Sequence, residues 1–228
     1  MSQRQIAAFD FDGTITKRDT LFPFLKKYGL LNLLLPLISS TANRRSLKWR
    51  DALKVQVIRK VFADISVSKF EEDGIRYAET LNSKYRDDVL ALLSWHRKAG
   101  HELVLVTASL GCYARPAATK LGFDHVIAVE LAPESGLLSG EISGNNIRGP
   151  EKARRLRQWI GPTDVEIWAY GNSSGDKEML SMADHSRWIY LTSLNSDWVN
   201  GRTYPSNERL WACFKQEVPL AIFDTIFS

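Results

Sequence analysis

The chain has 228 residues, 44% hydrophobic and 25% charged, which is the composition of a globular protein with one good-sized core. Its net charge of +4, from 30 basic and 26 acidic residues, does not indicate a nucleic-acid-binding protein but suits an anionic small substrate. The two cysteines, Cys112 and Cys213, are far apart and predict neither a disulfide framework nor a metal site. With no signal peptide at its start, we expect a cytoplasmic protein.

Two carboxylates, Asp10 and Asp12, stand at the end of an apolar strand predicted over residues 5–11. Side chains two apart on a strand point to the same side, so the two carboxylates repel each other unless a cation or a shared proton compensates their charge. The simplest interpretation is a strand end with acidic turn residues. A crowded pair of this kind is more typical of a metal or catalytic site.

Residues 17–87 are too long for a loop and lack strand patterns, so we predict an inserted helical module. Apolar residues three and four apart over Ser46–Phe62 predict an amphipathic helix with a basic polar face. The apolar run Tyr28–Ile38 is shorter than the roughly 20 residues that span a bilayer. We expect it to pack inside the module. The alternative is an apolar surface for a lipid or a greasy substrate, with the basic helix beside anionic headgroups.

Strands and helices alternate through the rest of the chain, which predicts βαβ units and a parallel sheet. The predicted helices are residues 88–99, 113–121, 151–160 and 177–183. The predicted strands are residues 103–106, 126–131, 165–170 and 188–191, with a hairpin arm or a further strand at 137–142. Ligands of such sheets bind at the carboxyl ends of the strands.

Residues 193–228 follow the last predicted strand and contain two apolar clusters, Leu210–Phe214 and Leu220–Phe223. Both clusters are apolar enough to dock on the core. The alternative is that they form an oligomer contact or, together with the helical module, a partner-docking surface.

Further polar residues follow the later strands. Thr107, with Ala108 and Ser109 after it, comes directly after an apolar strand, where a hydroxyl and backbone N–H groups can hold a phosphate oxygen. Many turns begin with Thr or Ser, so this signal is weak alone. Lys152 lies in the first turn of a helix, where it opposes the helix dipole and suggests a nearby anion, although solvated lysines in a first turn are common.

A loop rich in Gly, Ser and Asn follows the strand at 165–170 and ends in Asp176 at the start of a helix. Asp176 is suited to capping that helix. Asn172 and Asp176 are also suited to supplying oxygen ligands to a hard cation such as Mg²⁺.

In this order, the motifs resemble those of the haloacid dehalogenase (HAD) superfamily of phosphohydrolases. The motif D-x-D-G-T at Asp10–Thr14 is followed by Thr107, by Lys152 and by G-N-x-x-G-D at Gly171–Asp176. Their neighbourhoods look like the phosphoserine-phosphatase-like subfamily, also called IB.

The resemblance covers about residues 5–192 and implies a fold of the α/β class. That fold is a three-layer, Rossmann-like parallel sheet with an inserted helical cap of the first type (C1). The core would comprise residues 1–16 and 88–228, and residues 17–87 would be the cap. The cap matches in position and helical character only.

The resemblance also implies a mechanism for a Mg²⁺-dependent phosphatase. Asp10 would be the nucleophile that forms an aspartyl-phosphate, and Asp12 the general acid and then the base. Asp10, the backbone carbonyl of Asp12 and Asn172 would hold Mg²⁺. Asp176 would orient the metal shell or Lys152, and direct binding of the metal by Asp176 stays open.

The phosphoryl oxygens would be held by Thr107, Ala108, Ser109 and Lys152. Thr14 would fix the turn. The expected substrate is a small-molecule or amphiphilic phosphomonoester, the latter with peripheral membrane contact through the cap. Because Asp12 is present as a proton shuttle, we expect a phosphatase rather than a dehalogenase.

The sequence departs from the family pattern at Asn172, where an aspartate is expected. An amide oxygen binds Mg²⁺ without contributing charge, which predicts weaker metal binding or loss of activity. A phosphotransferase or mutase with the same site is one alternative. A non-catalytic phosphate-binding protein is another, although the joint presence of Asp10, Asp12, Thr107 and Lys152 argues against it.

Overall fold

The computed structural model describes residues 3–29 and 47–189. At its centre lies a five-stranded sheet in the order β3-β2-β1-β6-β7, and every pair of neighbours in it is parallel. Its strands are β1 (Arg4–Phe9), β2 (Glu102–Leu110), β3 (His125–Val129), β6 (Val165–Gly171) and β7 (His185–Trp188). A separate antiparallel hairpin is formed by β4 (Leu131–Glu134) and β5 (Leu137–Ile142).

Helices flank the sheet, so the three-layer α/β class predicted from the sequence is confirmed. They are α1 (Leu21–Leu25), α2 (Leu47–Phe62), α3 (Val67–Glu79), α4 (Asp87–Lys98), α5 (Gly111–Leu121), α6 (Pro150–Ile160) and α7 (Lys177–Ser181). Pro150 occupies the first turn of α6, where its missing N–H breaks no helical hydrogen bond. No helix in the described ranges has the length and apolar character needed to cross a bilayer.

The central strand β1 places Asp10 at the carboxyl edge of the sheet. Ile6 and the three residues after it are fully buried, and β1 pairs with β2 on one side and β6 on the other. Phe9 lies opposite Leu105 and Tyr170, and Asp10 N donates to Tyr170 O at 2.9 Å. The ends of β1, β2 and β6 therefore meet at one edge.

Several predicted boundaries were wrong. The strand predicted over 103–106 continues to Leu110, and its register with β3 shifts between Val106 and Leu110. The strand predicted over 126–131 is two strands, because the chain leaves the sheet after Val129 and begins the hairpin at Leu131. The last strand among the described residues lies at His185–Trp188 and begins three residues before the predicted start at 188, while residues 190 and 191 of the predicted strand lie outside the described residues.

Helices α1, α2 and α3 lie in the insertion predicted over 17–87, which we call the helical segment. Helix α2 buries Val57, Ile58, Val61 and Phe62, as expected for an amphipathic helix. Phe62 also belongs to an aromatic cluster whose rings all contact Phe24. This cluster consists of Phe24, Tyr28, Phe62, Phe70, Tyr77 and Tyr113.

The two ends of the helical segment run side by side. Lys17 N donates to Lys84 O at 2.8 Å, and Arg86 N donates to Ile15 O at 2.9 Å. Between these two bonds, Thr16 and Tyr85 form an antiparallel bridge. The chain thus leaves the sheet region and returns to it at one joint.

Helix α3 of the helical segment packs closely on α5. A Cβ at Gly74 of α3 would lie 2.5 Å from the backbone C and O of Cys112 in α5. Only glycine permits this approach.

Part of the sequence-based prediction lies outside the described residues. This applies to the apolar run Tyr28–Ile38 beyond Gly29, to Cys213, and to the clusters Leu210–Phe214 and Leu220–Phe223.

Candidate active site

Asp10 is buried at the carboxyl end of β1, and both of its carboxylate oxygens have donors. Lys152 Nζ donates to Oδ1 at 2.5 Å and Thr14 Oγ1 donates to Oδ2 at 2.9 Å. Burial raises the pKa of Asp10, and the Lys152 ammonium and the Thr14 hydroxyl oppose that rise. Thr14 thus contacts the first carboxylate directly, a contact that the sequence analysis did not predict.

Lys152 joins Asp10 to Asp176. Its Nζ lies 2.6 Å from Asp176 Oδ1, and the side chains of all three residues are at most 8% exposed. Burial alone would lower the pKa of Lys152, but the two carboxylates raise it above its ordinary value. The ammonium is therefore held charged between them.

Asp176 is fully engaged within the protein. Its Oδ2 accepts hydrogen bonds from the backbone N–H groups of Asn172 and Ser173, at 3.1 and 2.9 Å, and from Ser173 Oγ at 3.0 Å. Although burial would raise the pKa of Asp176, the contact with Lys152 lowers it. Asp176 fixes the loop after β6 and orients Lys152; it makes no hydrogen bond that caps α7.

Asp12 has neutral partners instead. Thr20 donates to its Oδ1 twice, from the backbone N at 2.8 Å and from Oγ1 at 2.6 Å, and Ser109 Oγ donates to Oδ2. Burial raises the pKa of Asp12 to about 7 and the charge of Asp19 adds to the rise, whereas the bonds from Ser109 and Thr20 oppose it. A carboxyl group with a pKa near 7 has the property that general acid–base catalysis at neutral pH requires.

The residues after the apolar part of β2 lie where its register with β3 shifts. Thr107 and Ser109 are buried, and Ser109 N donates to Thr107 Oγ1 at 3.0 Å. Ala108 between them is partly exposed. Through Ser109 this stretch contacts Asp12, so the ends of β1 and β2 form one site.

Asn172 packs against the turn that follows Asp10. Gly13 has a φ of +78°, and a Cβ there would lie 1.9 Å from Asn172 Nδ2. A glycine is therefore required for both the backbone conformation and the space. The side-chain amide of Asn172 thus lies beside the backbone of Gly13, directly after Asp12.

The donor set at this turn fits Mg²⁺. It offers the carboxylate of Asp10, the backbone carbonyl of Asp12 and the amide oxygen of Asn172, all hard oxygen ligands, with water for the remaining positions. No group of three or more His, Cys, Asp or Glu side chains suited to a metal occurs among the residues that the structure describes.

A family model described as haloacid dehalogenase-like hydrolase matches residues 7–181 of the chain. The chain belongs to the haloacid dehalogenase-like hydrolase family. The resemblance noted from the four motifs is thereby confirmed.

Relatives narrow the position of the chain within this family. Protein CicA of Caulobacter vibrioides (strain NA1000 / CB15N) is 38% identical over 189 residues, covering 78% of this chain and 83% of that protein. A phosphoserine phosphatase of Halobacterium salinarum is 25% identical over 182 residues, covering 78% of this chain and 82% of that protein. A solved structure titled as a phospho-aspartyl intermediate analogue of phosphoserine phosphatase superposes with a TM-score of 0.56 at 17% identity, covering 81% of this chain and 86% of that one.

The family, its relatives and its fold make the chain a phosphatase of the haloacid dehalogenase type, close to the phosphoserine-phosphatase-like group. Direct hydrogen bonds join Asp10, Lys152 and Asp176 in one group and Asp12 and Ser109 in another. Asn172 adjoins them through Gly13, and Thr107 through Ser109.

Sequence reasoning missed Thr20 and Tyr113. Thr20 contacts Asp12 from eight residues downstream, beyond the D-x-D-G-T motif, and Tyr113 Oη lies 3.4 Å from Thr20 Oγ1. Neither residue stands at a strand end or in a glycine-rich loop. The only signal was that Thr20 directly precedes the first helix of the segment.

Proposed function

We propose that the protein is a Mg²⁺-dependent phosphomonoester hydrolase that works through an aspartyl-phosphate on Asp10. The observation that carries the proposal is the contrast between two neighbouring carboxyl groups. Asp10 is bonded to a buried ammonium, whereas Asp12 is bonded to hydroxyls and an amide and has a pKa raised to about 7. Such a pair separates a nucleophile from an acid–base group.

In the first step, an oxygen of Asp10 attacks phosphorus and the bond from phosphorus to the ester oxygen breaks. Asp12 gives its proton to that leaving oxygen. In the second step, Asp12 takes a proton from a water molecule that attacks the aspartyl-phosphate. The bond between phosphorus and Asp10 then breaks, and inorganic phosphate leaves.

Thr107, Ala108, Ser109 and Lys152 would hold the phosphoryl oxygens during both steps. Lys152 already contacts Asp10, so a phosphoryl group on that carboxylate would lie next to the Lys152 ammonium. Thr107 and Ser109 adjoin Asp12 at the end of β2. Fixed donors of this kind stabilise charge as it moves in the transition state.

Asp10, the carbonyl of Asp12 and Asn172 would hold Mg²⁺, which would offset the repulsion between an anionic nucleophile and an anionic phosphate. Asp176 would act on Lys152, because its Oδ1 contacts the ammonium and its Oδ2 already accepts three hydrogen bonds from the loop after β6. Asn172 brings no charge to this set. We therefore expect weak binding of Mg²⁺ in the absence of substrate.

We propose residues 17–87 as the cap and residues 1–16 and 88–228 as the core of the enzyme. The joint between Thr16 and Tyr85 supports this division. The substrate would be a small phosphorylated molecule in the cytoplasm, where the buried thiol of Cys112 stays reduced. A lipid-like phosphomonoester is a second candidate, because Phe22 of α1 is 49% exposed with Lys26 Nζ 5.1 Å from its ring centroid.

The test is phosphate release across a panel of phosphoserine, sugar, nucleotide, glycerol and lipid phosphates with Mg²⁺. Wild-type protein should release phosphate from at least one ester, and Asp10→Asn or a chelator should abolish release. Asp164→Asn changes an exposed aspartate in the same way and should leave the rate unchanged. The ranking of the esters would show whether small or lipid-like substrates are preferred.

Two outcomes would contradict the proposal. Transfer of the phosphoryl group to an added alcohol without free phosphate would indicate a phosphotransferase. Absence of release from every ester, with binding of inorganic phosphate retained, would indicate a phosphate-binding protein.

A further inference from the structure

The carboxyl group of Asp12 lies in a network of buried hydroxyl groups. Thr20 Oγ1 donates to Oδ1, Ser109 Oγ donates to Oδ2, and the Tyr113 hydroxyl lies 3.4 Å from Thr20 Oγ1. Thr20, Ser109 and Tyr113 are at most 1% exposed. The orientation of the Asp12 carboxyl is therefore fixed from two sides.

The two carboxylate oxygens of Asp12 accept different numbers of hydrogen bonds. A carboxylate oxygen accepts about two hydrogen bonds. Oδ1 receives two, both from Thr20, and has no position left for a proton. Oδ2 receives one, from Ser109, and keeps a position for a proton.

We propose that Thr20 is a positioning residue that makes Oδ2 of Asp12 the oxygen that exchanges the proton with the substrate. The inference rests on the proposed role of Asp12 as acid and base. As phosphorus transfers to Asp10, the proton on Oδ2 passes to the leaving oxygen, which keeps the electron pair of the broken bond. In the second step, a water proton returns to Oδ2 as the water oxygen bonds phosphorus and Asp10 leaves.

Thr20 is itself held by the helical segment. Tyr77 Oη, from α3, donates to Thr20 O at 2.8 Å, and Tyr77 is 3% exposed. Helix α3 packs on α5 through Gly74, and α5 carries Tyr113. The geometry of the proton-exchanging oxygen therefore depends on how the helical segment packs on the core.

The leaving group distinguishes this role from a merely structural one. A p-nitrophenolate leaves readily without a proton, whereas the alkoxide of glycerol 2-phosphate needs one. General acid catalysis contributes about 10²- to 10⁴-fold, so misplacing the acid should slow the alkyl ester and hardly affect the aryl ester. A general loss of folding or of phosphate binding would slow both esters equally.

The experiment measures kcat for both esters with Mg²⁺ in wild type, Thr20→Val and Thr20→Ser. We expect Thr20→Val to lower kcat roughly tenfold to a hundredfold for glycerol 2-phosphate and less than about threefold for p-nitrophenyl phosphate. Thr20→Ser, which keeps the hydroxyl donor, should restore the alkyl-ester rate to within about threefold of wild type.

Equal losses on both esters, or failure of serine to restore the rate, would overturn the role of Thr20 and leave the proposed function intact. No phosphate release by wild type from either ester, or from the wider panel, would overturn the proposed function and this inference with it. If Thr20→Val does not fold, Tyr77→Phe decides, since it removes the bond to Thr20 O alone. A loss of kcat in Tyr77→Phe that is larger for glycerol 2-phosphate than for p-nitrophenyl phosphate would support the inference. An equal fractional change in kcat for both esters would contradict it.

Discussion

Asp10 and Asp12 are two residues apart, yet their surroundings are opposite in kind. The half of the site around Asp10 is ionic: a buried lysine joins its carboxylate to that of Asp176. The half around Asp12 is built from donors without charge, namely Thr20 and Ser109. In the first half a cation opposes the rise in pKa that burial causes at Asp10, whereas in the second no cation does so and burial raises the pKa of Asp12 to about 7.

Under the proposed mechanism, this contrast would let one short turn supply two chemistries. A carboxylate beside a fixed ammonium stays ready to attack an anionic phosphate. A carboxyl among hydroxyls exchanges protons near neutral pH. The difference comes from partners on other elements. Asp10 contacts Lys152 of α6, which is held by Asp176 of the loop after β6, whereas Asp12 contacts the helical segment and β2.

The largest expected effect comes from removing the ionic half. Lys152→Met keeps the length of the side chain but leaves Asp10 and Asp176 buried without their cation. We expect a loss of about 3–5 kcal/mol in the free energy of unfolding, measured in urea, and loss of phosphate release. Lys120→Met, at an exposed helical lysine, should change stability by less than about 0.5 kcal/mol.

A small change of stability in Lys152→Met would contradict the ionic description of this half. It would mean that the two carboxylates find compensation elsewhere when the ammonium is gone.

Asp12→Asn should separate activity from stability. The amide oxygen replaces Oδ1 as acceptor for Thr20, and the amide nitrogen can donate to Ser109 Oγ, so the contacts with Thr20 and Ser109 are retained. We expect kcat for an alkyl phosphate to fall about 10²- to 10⁴-fold. The urea midpoint should stay close to that of wild type, because no charge is left unpaired. A destabilisation as large as that of Lys152→Met would show that the two halves do not differ as described.

The smallest expected effect is on the binding of Mg²⁺ by Asn172, the third oxygen donor of the proposed metal site. Asn172→Asp adds a carboxylate beside Gly13, and we expect Mg²⁺ to bind about tenfold more tightly because of the added charge. Thermal unfolding with increasing Mg²⁺ measures this without any substrate. Ser174→Asp adds the same charge to an exposed position of the same loop and should not change the response. Equal responses in both variants would argue against a metal held by residue 172.

The ionic half was predictable from the sequence, and the neutral half was not. Asp10 and Asp176 follow apolar strands, and the carboxyl edge of a parallel sheet brings such residues together whatever the lengths of the connections. Lys152 was marked by its unfavourable place in the first turn of a helix. These signals are local, and the parallel topology of the sheet brings the residues that carry them to one edge.

Thr20 carries no local signal, because its contact with Asp12 depends on how the helical segment returns and packs. Tyr77, 57 residues later, fixes its carbonyl, and Tyr113 approaches its hydroxyl from α5. The extension of β2 beyond Val106 was missed for a similar reason. The apolar run ends there, but pairing with β3 resumes at Leu110.

The joint at Thr16 and Tyr85 has a consequence for how such a chain can change. Because entry and exit lie within hydrogen-bond distance, a stretch of different length can replace the intervening residues at a small entropic cost that grows slowly with length. If residues 17–87 form the cap, as proposed, new substrate preferences would arise by exchange of the whole segment while the sheet stays as it is. Thr20 lies inside the exchanged piece, so each replacement must supply its own hydroxyl to Asp12 or lose the second donor to Oδ1.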